Sequence, residues 1–142
     1  SVTIPNTVRE IDSFGFSDCH SLHTITIPDS ITEIGESAFN NCRSLTQVRI
    51  PGTVSVIRED LFNSCSKLQS VILEDGVTEI ENGIFTWCSG LKELHIPGSV
   101  TKIDEYLFFG VWDIAEKLTI YAPAGSYAET WAKEHNIPFV AE

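Results

Sequence analysis

The stretch Ile27-Pro-Asp-Ser-Ile31-Thr-Glu-Ile34-Gly-Glu-Ser-Ala38-Phe39-Asn-Asn-Cys42-Arg-Ser-Leu45-Thr-Gln-Val48-Arg-Ile50 is one full cycle of a pattern that fills the chain. Its apolar positions recur at a spacing of 23 residues in both directions. Ile4, Ile27, Ile50, Leu73 and Ile96 form one column, and Val8, Ile31, Val54, Val77 and Val100 a second. Ile11, Ile34, Ile57, Ile80 and Ile103 follow, then Phe16, Phe39, Phe62, Phe85 and Phe108. Cys19, Cys42, Cys65 and Cys88 form a column that Val111 continues. Leu22, Leu45, Leu68, Leu91 and Ile114 form the next, followed by Ile25, Val48, Val71 and Leu94. A period in this range marks a solenoid. One unit is too small to bury its own apolar side chains. Stacking turns each column into a continuous ladder, and the ladders are the core.

Within a cycle, Leu22-His-Thr-Ile25-Thr-Ile27 alternates apolar and polar residues, which predicts a short strand with one face inward. Pro28 ends it, because proline has no amide hydrogen for a further ladder bond. Asp29-Ser30 reads as a turn. Ile31 and Ile34 begin the return side, and Gly35 marks a bend. Ala38, Phe39 and Cys42 have i, i+1, i+4 spacing, which predicts one or two helical turns. Equivalent strands should lie parallel, about 4.7–4.9 Å apart. The outward strand residues are then Thr24, Thr26, Gln47, Arg49, Ser70, Ile72, Glu93 and His95, followed by Thr119 and Tyr121.

The pattern changes after Phe108. Leu118 and Ile120 resume the strand one residue late relative to Leu94 and Ile96, which predicts one extra residue within Gly110 to Lys117. Ala122-Pro-Ala-Gly125 is a turn, and Ser126-Tyr-Ala-Glu129 is a capping box. Tyr127, Ala128, Trp131, Ala132 and His135 share one face of the helix that follows. Asn136 suits its C-terminal end and Pro138 blocks continuation. This helix should lay Tyr127 and Trp131 over the open end of the last coil. The whole chain, 1–142, reads as one domain, with coils over about 4–121 and a cap over about 122–142. The first residues read as the end of a strand whose earlier coil is absent. An uncapped end would expose apolar columns, so further coils or a capping segment, with a secretion signal, are expected upstream.

Composition narrows the function. The chain is 42% hydrophobic, enough for a core. With 20 acidic and 9 basic residues its formal net charge is −11, so nucleic acid is not an expected partner. It has no 18-residue apolar run to insert into a membrane. No glycine-rich phosphate loop or nucleophile–base constellation stands out, so neither enzymatic activity nor a cofactor is expected.

The repeat unit Ile27-Pro28-x-x-Ile31-x-x-Ile34-Gly35-x-x-Ala38-Phe39-x-x-Cys42-x-x-Leu45-x-x-Val48-x-Ile50 resembles the BspA-like class of leucine-rich repeat. The tail from Tyr121 to Phe139 is similar to the helix-and-strand ending of that class. Departures are Glu74 where a proline is expected, Val111 for Cys, the extra residue near 112, and Leu61, Ile84 and Leu107 where the class prefers a small residue. The resemblance implies an α/β solenoid: a right-handed leucine-rich repeat superhelix of 23-residue coils, with a parallel sheet on one face, short helices on the other and a helical cap. It also implies a secreted or cell-surface role in adhesion and protein–protein interaction, mainly in bacteria. The expected partner is a protein, for example a host surface or matrix protein. It is bound through the outward strand residues Thr24, Thr26, Gln47, Arg49, Ser70, Ile72, Glu93, His95 and Tyr121. The alternative is a rigid stalk in a larger surface protein.

Other candidates have plainer readings. Four Cys allow two disulfides, but a uniform spacing at strand distance favours buried thiols. Cys19-His20-x-x-His23 has the look of a metal cluster. The equivalents of His20 are Arg43, Ser66, Ser89 and Trp112, the profile of a solvent position. Trp87, Phe109 and Trp112 take non-core positions on neighbouring coils. They read either as an adhesive patch or, preferably, as packing against the displaced loop near Asp113 and the cap helix.

Overall fold

The computed structural model describes all 142 residues. Six short strands stand side by side on one face: β1 (Val2–Thr3), β3 (Ile25–Thr26), β5 (Gln47–Ile50), β7 (Ser70–Leu73), β9 (Glu93–His95) and β11 (Thr119–Ala122). All recorded pairings among them are parallel, and from β5 to β9 the register is the repeat itself: Val48 faces Val71, which faces Leu94. The inward residues of each strand are buried and the outward ones are not, because side chains alternate across a pleat.

A second ladder runs along the return side. It consists of β2 (Glu10–Ile11), β4 (Glu33–Ile34), β6 (Val56–Ile57), β8 (Glu79–Ile80) and β10 (Lys102–Ile103), again in parallel pairs. The buried apolar side chains between these surfaces form one cluster running the length of the solenoid.

The third side differs from the helical turns expected of Ala38, Phe39 and Cys42. It is built of turns, and the only helices are α1 (Ile114–Lys117) and α2 (Tyr127–Glu134). Two residues per coil take a left-handed conformation: Phe14, Ser37 and Asp60 at one position, Asp18, Asn41, Ser64 and Trp87 at the other, all with φ between 55° and 64°. Such residues interrupt a right-handed helix. They swing amides along the solenoid axis instead. Ser37, Phe39 and Asn41 donate to the carbonyls of Glu59, Leu61 and Asn63 in the next coil at 3.0, 3.1 and 2.7 Å. The preceding and following coils repeat these bonds, so backbone groups are satisfied between coils rather than within a helix.

The phenylalanine column stacks along this side. Successive rings from Phe16 to Phe108 lie 5.5, 5.7, 6.1 and 5.7 Å apart and within 16° of parallel. The cysteine column has a polar role as well. The thiols of Cys42, Cys65 and Cys88 donate to the carbonyls of Phe16, Phe39 and Phe62 at 3.1, 3.1 and 3.0 Å. A thiol therefore fills the volume of a small hydrophobe and also gives a second donor to a carbonyl buried in the stack. All four cysteines are unpaired.

This burial has a consequence at high pH. It pushes the Cys88 thiol from an ordinary value of 9.0 up to about 12; the Cys65 thiol is also raised, by its neighbour Cys42 first and by burial second. The folded chain then holds protons that the unfolded chain has released. The stabilisation is fully present below pH 9.0 and is lost as pH rises toward 12. The slope is at most about 1.4 kcal/mol per pH unit per thiol. Val111 shows that the column accepts valine. Cys88→Val is accordingly expected to flatten the alkaline decline seen by urea unfolding at a series of pH values; an unchanged decline would place its cause elsewhere.

The last coil departs further from the repeat than expected. Ile120 pairs with Leu94 and Tyr121 with His95, an offset of 26 residues, so three residues are inserted rather than one. Ile120 enters the column of Leu94, and Ala122 that of Ile96. Ile114 is only half-buried, whereas Leu118 is fully buried in the core. The insertion winds into α1, where a helical turn takes up chain without lengthening the coil. The expected and observed registers differ by two residues, which leaves the same side chains outward.

The cap helix α2 forms as its ends dictate. The Ser126 hydroxyl accepts from the Glu129 amide at 3.3 Å, and the Glu129 carboxylate reaches back to the Gly125 amide at 2.5 Å. Lys133 and that amide hold the Glu129 carboxyl below the usual carboxylate range. At the other end Asn136 is left-handed, with φ 56°. The Asn136 and Ile137 amides donate to the carbonyls of Lys133 and Ala132 at 3.2 and 2.9 Å, a Schellman motif. Ala128, Trp131 and Ala132 are buried, with the Trp131 ring 6.2 Å from Phe108. Tyr127 does not cover the last coil as expected; it is 44% exposed. The chain ends in β12 (Phe139–Ala141), a further parallel strand paired to β11.

Candidate protein-binding face

The outward side chains of the front sheet fall into two rows. Register places Arg49 beside Ile72, Ile72 beside His95, His95 beside Tyr121 and Tyr121 beside Val140. Thr26 is the equivalent position one coil before Arg49. The second row holds Thr24, then Gln47, Ser70, Glu93 and Thr119. At a strand spacing of about 4.8 Å, the row from Arg49 to Val140 spans roughly 19 Å. The front strands thus gather all the outward strand residues expected from sequence onto one face, Thr24 and Thr26 at the β1–β3 pair and the others on the five-stranded sheet from β5 to β12. Beside Ile72 it opens into two shallow depressions. One, of about 310 Å³, is lined by Thr24, Thr26, Gln47, Arg49, Ser70 and Ile72 among others. The other, of about 490 Å³, lies between Ile72, His95, Pro97, Pro123 and Glu142.

The charged members are held in place. The Arg49 guanidinium donates through two nitrogens to both carboxylate oxygens of Glu74, and at 3.3 Å to Asp29. The Glu74 bond, with Asp29 second, raises the Arg49 pKa. Glu74 stands where the other cycles carry proline, so this departure from the repeat serves as the clamp for Arg49. His95 stacks on Tyr121 with ring centres 4.7 Å apart, and its Nδ1 lies 2.7 Å from the Glu142 carboxylate. Each clamp lowers the conformational entropy that the side chain would lose on binding. Ile72 is 43% exposed and Val140 47%, an apolar element amid polar neighbours.

Sequence reasoning missed four members of this face: Asp29, Glu74, Val140 and Glu142. The break in the proline column was a signal for Glu74. Val140 and Glu142 had none, because their place depends on β12 docking beside β11.

The aromatic residues Trp87, Phe109 and Trp112 come together, but not by packing under the cap. They are 50%, 58% and 83% exposed. Phe109 meets Trp87 and Trp112 edge-on, with centres 6.0 and 5.8 Å away. The chemistry suggested by Cys19, His20 and His23 finds no support in geometry. Cys19 is half-buried, His20 lies against Asp18 and Asn41, and His23 bonds the Ser21 carbonyl at 2.8 Å. No group of three or more His, Cys, Asp or Glu is placed to hold a metal ion. No helix is long and apolar enough to cross a membrane.

Two parallel ladders, a turn side, a capped end and an exposed front sheet define a leucine-rich repeat solenoid. Residues 1–114 match the BspA type leucine rich repeat region in six copies, and the chain belongs to that family. Proteins of this family are typically interaction or surface modules. Among solved structures, the chain is similar to a leucine-rich cell surface protein from Faecalibacterium prausnitzii A2-165. Identity is 31% and the TM-score 0.79, over 99% of this chain and 35% of that one. It also resembles the leucine-rich repeat protein of T. pallidum, at 24% identity and TM-score 0.76, over 99% and 68% of the two chains. A leucine-rich repeat protein from Bacteroides ovatus shares the fold at 23% identity and TM-score 0.60, over 99% and 42%. The chain therefore spans about a third of the length of the F. prausnitzii protein. No curated protein matches it.

Proposed function

We propose that the chain is a non-enzymatic recognition module that binds a protein ligand, such as a host surface or matrix protein, through its front sheet. The observation that carries this reading is the outward row Arg49, Ile72, His95, Tyr121 and Val140. Core columns repeat like residues, whereas this row changes chemistry at every coil. A face that only needed to stay soluble would not require an arginine clamped by two carboxylates or a histidine stacked on a tyrosine. Aromatic and arginine side chains held in advance are also the residue types that dominate binding energy. A place outside the cell or on its surface is consistent with the F. prausnitzii relative, described as a cell surface protein.

The test is a binding screen on an array of extracellular-matrix and host-surface proteins. Arg49→Glu and Glu93→Lys are each expected to weaken a recorded interaction at least about tenfold, equivalent to about 1.4 kcal/mol. Glu36→Lys, on the turn side, is expected to leave it unchanged. If both front-face reversals bind as tightly as the parent chain, the sheet is not the recognition surface; binding to no protein on the array would favour the rigid stalk.

A further inference from the structure

A groove of about 370 Å³ runs between the last coil and the cap helix, well away from the front sheet. Tyr106, Phe109, Trp112, Trp131 and Ile137 line it, with Glu105 at its rim. Three features separate it from incidental surface. Trp112 and Tyr106 stand 83% and 69% exposed, unusual for residues that ordinarily bury most of their area. Phe109 and Trp112 are set edge to face, so their rings are positioned in advance. Trp87 next to them is left-handed, with φ 58°, an uncommon conformation for a bulky residue. Its ring lies over Gly110, where any Cβ would come within 2.5 Å of it. Trp87, which meets Phe109 edge-on, is thus fixed beside the wall rather than within the groove.

The electrostatics say what fits. The nearby lysines are engaged, Lys117 with Asp113 at 2.8 Å and Lys133 with Glu129. His135 is stacked on Trp131 and bonded to the Trp131 carbonyl at 2.8 Å. Glu105 is exposed and has no partner among the ion pairs of the chain. An apolar aromatic wall with a free carboxylate at its rim, on a chain of net charge −11, is complementary to one kind of group. The aliphatic stem of a long cationic side chain would lie on the rings, with its charge over their faces and against Glu105.

We propose that this groove receives a lysine or arginine side chain presented by a basic segment of a partner protein. It is a second contact surface, independent of the front sheet. The aromatic faces attract the cation through their quadrupole, and Glu105 supplies the counter-charge. The negative surface as a whole favours encounter with a basic segment.

The test uses an end-blocked, dye-labelled peptide alternating arginine and glycine, followed by fluorescence anisotropy, and a matched peptide with the neutral isostere citrulline. The arginine peptide is expected to bind at least about tenfold more tightly than the citrulline peptide. Trp112→Ala, which removes an exposed side chain, is expected to weaken binding about tenfold, and Glu105→Gln several-fold. Glu10→Gln, on the first coil, is expected to leave it unchanged. Equal binding of the citrulline peptide would overturn the proposal in favour of a merely apolar groove. So would full binding by Trp112→Ala. A loss in Glu10→Gln equal to that in Glu105→Gln would reduce the effect to general attraction by an acidic surface. Thermal unfolding of each variant confirms that the cap is intact.

Discussion

Replacing Phe62 by alanine is expected to destabilise the protein by about 3–5 kcal/mol. Phe62 is fully buried and stacks on Phe39 at 5.7 Å and Phe85 at 6.1 Å. The lost volume cannot readily be recovered by collapse. The Phe62 amide donates to the Ile84 carbonyl at 3.1 Å, and the equivalent bonds in neighbouring coils hold the backbone at a fixed spacing. The substitution damages two interfaces between coils at once. In a solenoid, where each coil contacts only its neighbours, that weakens the coupling between the two halves. Urea unfolding followed by circular dichroism should show a lower midpoint and a broader transition. Phe16 sits at the start of the column, half-buried, with a single stacked neighbour. Phe16→Ala is the internal comparison and should lose clearly less. Equal losses at the two positions would mean that the aromatic column does not couple the coils.

Trp131→Ala is expected to be as costly, about 3–5 kcal/mol, but in a different place. Trp131 is 4% exposed, packs on Phe108 and carries His135 stacked on it with ring centres 3.9 Å apart. Removing it uncovers the end of the aromatic stack and loosens the helix that holds β12 beside β11. The loss should stay local, since a terminal unit has one neighbour. Hydrogen exchange should accelerate in β11, α2 and β12, while β5 and β7 keep their protection. Uniform acceleration through the chain would contradict the view of α2 as a separable cap.

Much of this architecture was legible because a solenoid core is a one-dimensional object. Like residues at a fixed spacing must stack, so the columns of Ile27, Phe39, Cys42 and Leu45 identified the core without any knowledge of the third dimension. The turn side was misread for a specific reason. The spacing of Ala38, Phe39 and Cys42 is satisfied equally by a helical turn and by two successive tight turns. The discriminating signal lay in another column. In the column Asp18, Asn41, Ser64, Trp87 and Gly110, three of the five are Asp, Asn or Gly, types that tolerate a left-handed backbone, and they recur at the position where a helix would need to continue. The insertion was undercounted because Leu118 and Ile120 alternate like Leu94 and Ile96, and alternation has a period of two. It cannot distinguish one offset from another that differs by two residues.

The amino-acid sequence by itself determined the period, the buried columns, the capping helix and the outward set Thr24, Thr26, Gln47, Arg49, Ser70, Ile72, Glu93, His95 and Tyr121. These follow from local alternation and from identical residues recurring in phase, which are properties of a line. Only the tertiary structure decided that Glu74 clamps Arg49, that Glu142 and Val140 join the front face, and that Trp112 and Trp131 share one groove with Glu105. Those contacts join residues that no repeat relates, across strand neighbours or from cap to coil. They exist only once the inserted turn α1 and the docking of β12 have set the last register.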